Sequence, residues 1–197
     1  GSGYIFRAFY ALPAPLEVLE ERTVGAGLGS DSIREGITAS IIGLIAVIVF
    51  MVLAYGLFGI FTTVTVLMNL FLMLGALSFM GATLTLPGIA GIILTIGMAV
   101  DANVLIFERM REEVKNGRST KDAAEAGFTE AWGTIVDSNL TTLVAAFVLF
   151  YFGTGPVRGF AVTLAIGIAT SMFTSVTVTR LIIASWLNKY KPTKLPI

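Results

Sequence analysis

The chain of 197 residues contains no cysteine and no histidine, and only 13% of its residues are charged. Without cysteine the protein can form no disulfide and has no thiol nucleophile, and without either residue it lacks the usual ligands of zinc and haem. The sequence also has no glycine-rich phosphate-binding loop of the Walker type. We therefore expect no metal, no cofactor and no enzymatic activity, and we do not expect ATP to supply energy to this chain.

An excess charge of one sign is lacking too, because 13 Lys and Arg residues balance 13 Asp and Glu residues. This neutrality gives no electrostatic argument for binding nucleic acid. Apolar sequence is plentiful: hydrophobic residues make up 55% of the chain, and the mean hydropathy is +0.86. A soluble domain of this length would need far more polar surface to cover its core. The composition therefore predicts a polytopic membrane protein.

Five apolar stretches alternate with polar connections, and each stretch is long enough for a transmembrane helix. Their approximate ranges are 37–55, 60–80, 88–108, 134–153 and 159–187. We predict an all-α, polytopic helical bundle with a charged helical loop at 109–133 and a polar tail at 188–197. Pro87 suits the first turn of the third helix. Ser119 and Asp122 have the spacing of a capping box, which predicts the start of a short helix within the loop.

Basic residues in short loops set the orientation of a membrane protein. The charged loop and the tail hold most of them: Arg109, Arg111, Lys115, Arg118, Lys121, Lys189, Lys191 and Lys194. We therefore place this loop and the C-terminus in the cytoplasm, and residues 1–36 outside. We expect residues 1–36 to be a residual periplasmic segment with extended character at 16–24, and residues 1–3 (GSG) to be a cloning remnant.

Asp101 lies well inside the third apolar stretch, roughly 20 Å along a hydrocarbon core of about 30 Å. An ionisable residue at such depth is expensive, so it should face protein or a wet cavity and is a functional candidate by default. Away from water the charged form of a carboxylate is disfavoured, which would let Asp101 take up and release protons as helices move. The alternative is a purely structural role, in which Asp101 holds helices together by hydrogen bonds.

Other polar residues within the spans could surround Asp101. We consider Asn103, Asn69, Thr141 and Thr142 as its possible hydrogen-bonding neighbours, although ordinary interhelical bonding would also explain them. Asp137 lies in the first turn of the fourth span, where hydration near the interface is the simpler interpretation. Glu108 and Arg109 are expected to form a surface ion pair. No Lys or Arg occupies the middle of a span, which suggests that the charge answering Asp101 lies on another chain.

Two stretches resemble the signature of the SecD family of bacterial protein-export membrane proteins. They are residues 86–91 (LPGIAG) and 100–109 (VDANVLIFER), and residues 153–161 (GTGPVRGFA) and 170–174 (TSMFT) are similar to the last two spans of that family. Residues 11–16 (ALPAPL) and 21–25 (ERTVG) look like the lead-in from its periplasmic domain. The resemblance implies one half of a resistance-nodulation-division transporter, paired with a homologous half around a pseudo-two-fold axis.

The resemblance also implies a function and a set of partners. The paired half would be SecF, and the pair would assist the SecY translocon (SecYEG), with YajC, in the bacterial cytoplasmic (inner) membrane. It would use the proton-motive force to draw unfolded secretory polypeptides outward, gripping them through a periplasmic domain that this sequence lacks. Asp101 matches the essential intramembrane aspartate of the family, and the answering arginine would belong to SecF.

Two other functions remain open at this point. One is half of a drug or lipid exporter of the same superfamily, although such proteins commonly carry two adjacent carboxylates where this chain has Asp101, Ala102 and Asn103. The other is a scaffold subunit that transports nothing, in which Asp101 only joins helices.

Overall fold

The computed structural model describes residues 26–82 and 84–196, with side chains from residue 29 onward. Its helices are α1 (Ala26–Tyr55), α2 (Leu57–Phe79), α3 (Leu86–Lys115), α4 (Thr120–Phe152), α5 (Pro156–Met172), a π-helical segment (Phe173–Val178) and α6 (Thr179–Tyr190). The predicted all-α bundle is confirmed. The extended segment expected at 16–24 and the remnant at residues 1–3 lie outside the described residues.

Five helices are long and apolar enough to cross a membrane, in agreement with the five predicted spans. They are Gly29–Tyr55, Leu57–Phe79, Leu86–Lys115, Thr120–Phe152 and the continuous helix Pro156–Tyr190. The chain divides into two compact units, Gly1–Asp31 and Ser32–Ile197. Within the first unit, the described residues 26–31 are helical. The contacts below all lie within the second unit.

The helix ends follow from the local sequence. Gly56 precedes α2 with a φ of 54°, in the left-handed region that favours glycine. Thr85 caps α3 by accepting a hydrogen bond from the Gly88 backbone N–H at 3.2 Å, and Pro87 lies in the first turn as predicted. At the start of α4 the Ser119 hydroxyl accepts from the Asp122 N–H at 3.2 Å, which confirms the predicted capping position.

The helical loop expected at 109–133 is not a separate element. Residues 109–115 continue α3, residues 120–133 are the first part of α4, and the turn between them is short. The first helix likewise begins at Ala26 rather than near residue 37. Polar residues end an apolar run without breaking a helix, because most of them have adequate helix propensity. A change of hydropathy therefore marks a change of surroundings and not a helix boundary.

Helix α3 is the centre of the bundle and packs against α2, α4 and α5. Small residues allow this packing: a Cβ on Gly91 would lie 3.2 Å from the Thr163 side chain, and a Cβ on Gly167 would collide with Thr95. Four small residues on α5 and the π-helical segment, Thr163, Gly167, Ser171 and Ser175, are all buried. Small residues spaced by four in this way allow helix backbones to approach closely.

Hydrogen bonds show which ends of the helices lie together. The Tyr55 hydroxyl at the end of α1 donates to Glu108 of α3 at 2.9 Å. The Thr120 hydroxyl at the start of α4 donates to the Pro192 carbonyl at 3.1 Å. We call this side of the bundle, formed by residues 54–56, 108–121 and 186–196, the charged end. Glu108 pairs there with Arg111 and Arg109 with Glu112, both at 2.8 Å, so the expected Glu108–Arg109 pair is wrong.

The last helix contains a π-helical segment that the sequence analysis did not predict. Hydroxyls around it bond back to their own helix: Thr174 to the Thr170 carbonyl at 3.0 Å, and Ser175 to the Ser171 carbonyl. Such bonds compete with the regular helical ladder and favour local irregularity. The run of Ser and Thr between residues 170 and 179 was the available signal.

Candidate functional site

Asp101 projects from α3 into a cleft of about 170 Å³ between α3 and α4. Its side chain is exposed in this chain. The residues that line the cleft are Met98, Asp101, Ala102, Leu105, Ile135, Ser138, Asn139 and Thr142. Among the described residues, the carboxylate makes no hydrogen bond and no ion pair. The chain therefore presents the carboxylate on its own outer face and does not bury it among its own helices.

The wall opposite Asp101 is polar and belongs to α4. The hydroxyls of Ser138 and Thr142 donate to the carbonyls of Ile135 and Ser138, at 3.1 and 3.0 Å. Because those protons are used within the helix, both oxygens can still accept a hydrogen bond from a group in the cleft. Asn139 donates to the Ile135 carbonyl at 2.8 Å.

The structure brings only one of the predicted neighbours, Thr142, into the cleft with Asp101. Ser138 and Asn139 are cleft residues that the prediction did not include. The signal was their spacing, since positions 135, 138, 139 and 142 share one face of a helix. Asp137 and Thr141 are exposed and outside the cleft lining, and the Thr141 hydroxyl donates to the Asp137 carbonyl at 2.9 Å. Their part in proton transfer stays a prediction.

Asn103 lies on the other side of α3, in the bundle interior. Its amide donates to the Ala99 carbonyl at 3.1 Å, and its carbonyl oxygen accepts from the Thr179 hydroxyl at 2.9 Å. A longer contact of 3.5 Å reaches the Thr65 hydroxyl of α2. Asn103 therefore joins the helix of Asp101 to the end of the π-helical segment and to α2.

Asn69 is fully buried in the same interior, and neither atom of its amide has a hydrogen-bond partner among the described residues. The buried Thr62 hydroxyl oxygen likewise has no hydrogen-bond partner among the described residues. Buried polar groups are nearly always bonded, and a missing partner costs about 1–3 kcal/mol. The interior thus carries a polar set on α2, α3, the π-helical segment and α6: Thr62, Thr65, Asn69, Asn103, Thr174, Ser175 and Thr179.

The cleft holds a single carboxylate set among neutral side chains. Within the described part of the chain, no three His, Cys, Asp or Glu side chains come together in a way that could hold a metal ion. Asp101 is the one ionisable residue among those that line the cleft. A carboxylate at this depth is costly against lipid tails, so the cleft must be covered by protein or filled by water.

Five helices that are long and apolar enough to cross a membrane, the third of them carrying Asp101 midway along it, make this a multi-pass membrane protein. Residues 8–189 match the family model described as Protein export membrane protein SecD/SecF, C-terminal. The chain belongs to this family.

Similar proteins agree with that assignment. The chain is 56% identical over 181 residues to a protein translocase subunit SecD of Koribacter versatilis and 53% identical over 185 residues to that of Rickettsia prowazekii. These matches cover 92% and 94% of this chain, but 34% and 36% of the relatives. The chain therefore spans about a third of the length of these curated relatives.

The fold is similar to that of a solved structure, the crystal structure of SecDF, a translocon-associated membrane protein from Thermus thermophilus. The TM-score is 0.87 and the identity 43%, over 92% of this chain and 25% of the SecDF chain. SecDF in a super-membrane-facing form matches with a TM-score of 0.79 and 44% identity, over 90% of this chain and 24% of that one.

Proposed function

We propose that this chain is the membrane part of a Sec protein-export subunit that couples the proton-motive force to the translocation of secreted polypeptides, with Asp101 as the proton carrier. The observation that carries the proposal is the position of Asp101, at mid-depth of α3 and open to the outer face of the bundle. Protons are the coupling ion, and no cofactor takes part. The names of the relatives, protein translocase subunit SecD, support the protein-export part of this proposal.

Because the cleft is open on one side, we expect a second, homologous half to pack over it. A mid-membrane carboxylate with no hydrogen bond or ion pair inside the described part of its own chain needs a partner of opposite charge. In this proposal SecF supplies that cation, and the pair works beside SecYEG with YajC. The unfolded secretory polypeptide is held by a periplasmic domain outside this sequence.

The proposed location is the bacterial cytoplasmic (inner) membrane, with the charged end facing the cytoplasm. Five basic residues between positions 109 and 121 and three lysines after position 188 lie at that end. Basic residues near the ends of spanning helices are retained on the cytoplasmic side. The C-terminus would therefore be cytoplasmic.

A mechanism follows from the two faces of α3. When Asp101 is ionised it attracts the cation across the cleft, and when it is protonated that attraction is lost, so the two states favour different helix packings. Because Asn103 bonds Thr179, a shift of α3 is passed to the π-helical segment and to α6. A purely structural role would instead have Asp101 permanently hydrogen-bonded, and no such bond exists within the described residues.

The test is Asp101→Asn in the full-length subunit, reconstituted with its partners in vesicles that carry an imposed proton gradient. The variant keeps the size of the side chain and removes its titration. We expect loss of the proton-dependent part of polypeptide export. Glu130→Gln is the control that retains it, because Glu130 is an exposed carboxylate of α4 outside the cleft lining. Unimpaired proton-dependent export by Asp101→Asn would reject the carrier role.

A further inference from the structure

A second cavity, separate from the Asp101 cleft, lies near the charged end between α4 and α6. It is a half-open groove of about 150 Å³. Five apolar side chains form its floor, and four polar ones lie along it: Ala124, Phe128, Ile183, Ala184 and Leu187, with Lys121, Glu125, Arg180 and Asn188. Nothing in the proposed proton pathway uses this groove.

The groove lies at the level where the membrane surface is expected. The apolar run of α3 ends at Glu108, and Gly127 of α4 packs directly on Met110 of α3. Phe128, the next residue, lines the groove together with Arg180. Lys121 is about 10 Å further toward the charged end along α4. The two cations therefore span the region in which lipid headgroups lie.

Trp132 of α4 is exposed and lies one turn from the groove residue Phe128, and Trp186 of α6 is half-buried beside the groove residue Leu187. Tryptophans are enriched at the membrane–water interface, which agrees with this depth.

Two of the cations near the charged end that are unpaired among the described residues line this groove. Arg109, Arg111 and Arg118 are each paired with a glutamate at 2.6–2.8 Å. Lys121 and Arg180 form no ion pair with any described residue, although Glu125 lines the same groove. Lys121 and Arg180 lie near the two ends of the apolar lining, with Arg180 nearer the membrane interior, and two unpaired cations beside an apolar surface match a ligand with an anionic head and an apolar body.

We propose that this groove binds the headgroup of an anionic phospholipid, with the phosphate between the Arg180 and Lys121 side chains and an acyl chain that passes Phe128 toward the membrane interior. A zwitterionic lipid would fit the floor equally well but would gain less from the two cations. The proposal needs only the membrane location of the chain and does not depend on proton coupling.

The experiment is native mass spectrometry of the full-length subunit in detergent, with phosphatidylglycerol or phosphatidylcholine added at equal concentration. The native protein should retain phosphatidylglycerol preferentially. Arg180→Gln and Lys121→Gln should each lower its retention about fivefold, equivalent to about 1 kcal/mol. Glu125→Gln should raise it, because that change removes a like charge beside the phosphate. Arg180→Lys should keep most of the retention.

Lys115→Gln is the matched control, since Lys115 is an exposed cation of the same end outside the groove. It should leave lipid retention unchanged. Equal retention of the two lipids by the native protein, or equal losses for Lys115→Gln and Arg180→Gln, would overturn the proposal. So would a photo-crosslinker at the exposed Ala184 that captures a protein neighbour in membranes and no lipid.

Discussion

Asp101 and Asn103 are two residues apart on α3 and lie on opposite faces of this helix. A helix turns by about 200° over two residues. Asp101 consequently faces the open cleft, while Asn103 bonds Thr179 in the interior. This short stretch of α3 thus carries an exposed ionisable side chain and, on the opposite face, a buried side chain whose hydrogen bonds hold the helix in place.

The two interior asparagines should respond differently to the same substitution. Asn103→Leu removes the acceptor of the Thr179 hydroxyl and should destabilise the protein by about 0.6 kcal/mol, and at most about 1.7. Asn69→Leu removes an amide without partners among the described residues, so stability should stay equal or rise by about 1 kcal/mol. Thermal unfolding of the full-length protein in detergent compares them. A larger loss for Asn69→Leu than for Asn103→Leu would contradict the assigned contacts.

Sequence reasoning identified Asp101 and most polar residues of the spans but not their faces. Depth follows from counting along an apolar run, and that is why Asp101 was recognised. The direction in which each side chain points cannot be derived from the sequence in this way, because the apolar residues around Asp101 cover every side of the helix. Asn69 and Asn103 were therefore considered as neighbours of Asp101, whereas the structure places them in the interior and places Ser138 and Asn139 in the cleft.

At the scale of the helix, ends marked by caps and turns were predictable and other features were not. The capping residue Ser119 and the early Pro87 act on the local backbone, so the sequence determines them directly. The π-helical segment depends on hydroxyls bonding back within the helix while the same residues pack against α2 and α3. The run of Ser and Thr marks the place, but whether such a run becomes π-helical depends on this balance between local and tertiary contacts.

The α3–α5 contact depends on the absence of a side chain at Gly167. Gly167→Ala would place a methyl group against Thr95 and push the helices apart, at a cost of about 1–3 kcal/mol. The matched control is Gly75→Ala on α2, where a Cβ meets nothing within 4 Å and helix propensity predicts a gain of up to about 1 kcal/mol. Thermal unfolding measures both. Equal effects of the two variants would show that the contact is not close.

At the scale of the whole molecule, the chain has one face that its own helices leave incomplete. The Asp101 cleft opens on the outside of the bundle, and its wall on α4 is polar where a lipid-facing wall would be apolar. The family resemblance predicts a paired half at this place. Composition and periodicity alone predict only that some partner charge is missing from the chain.

A bulky substitution in the cleft should prevent such pairing. Ser138→Trp fills the space beside Asp101 with an aromatic ring, and we expect about tenfold less partner subunit to copurify, equivalent to about 1.4 kcal/mol. Ser78→Trp, at an exposed site near the far end of α2, should leave copurification unchanged. Normal partner recovery with Ser138→Trp would show that this face is not the interface.

The central claim is that the Asp101 carboxyl changes its protonation while it is inside the membrane. Infrared difference spectra of the full-length protein with its partner, taken between about pH 5 and about pH 9, report the carbonyl band of a protonated carboxyl. We predict a band that grows on acidification within this range and is missing from the Asp101→Asn spectra. A spectrum with no change attributable to Asp101 across the whole range would contradict the account.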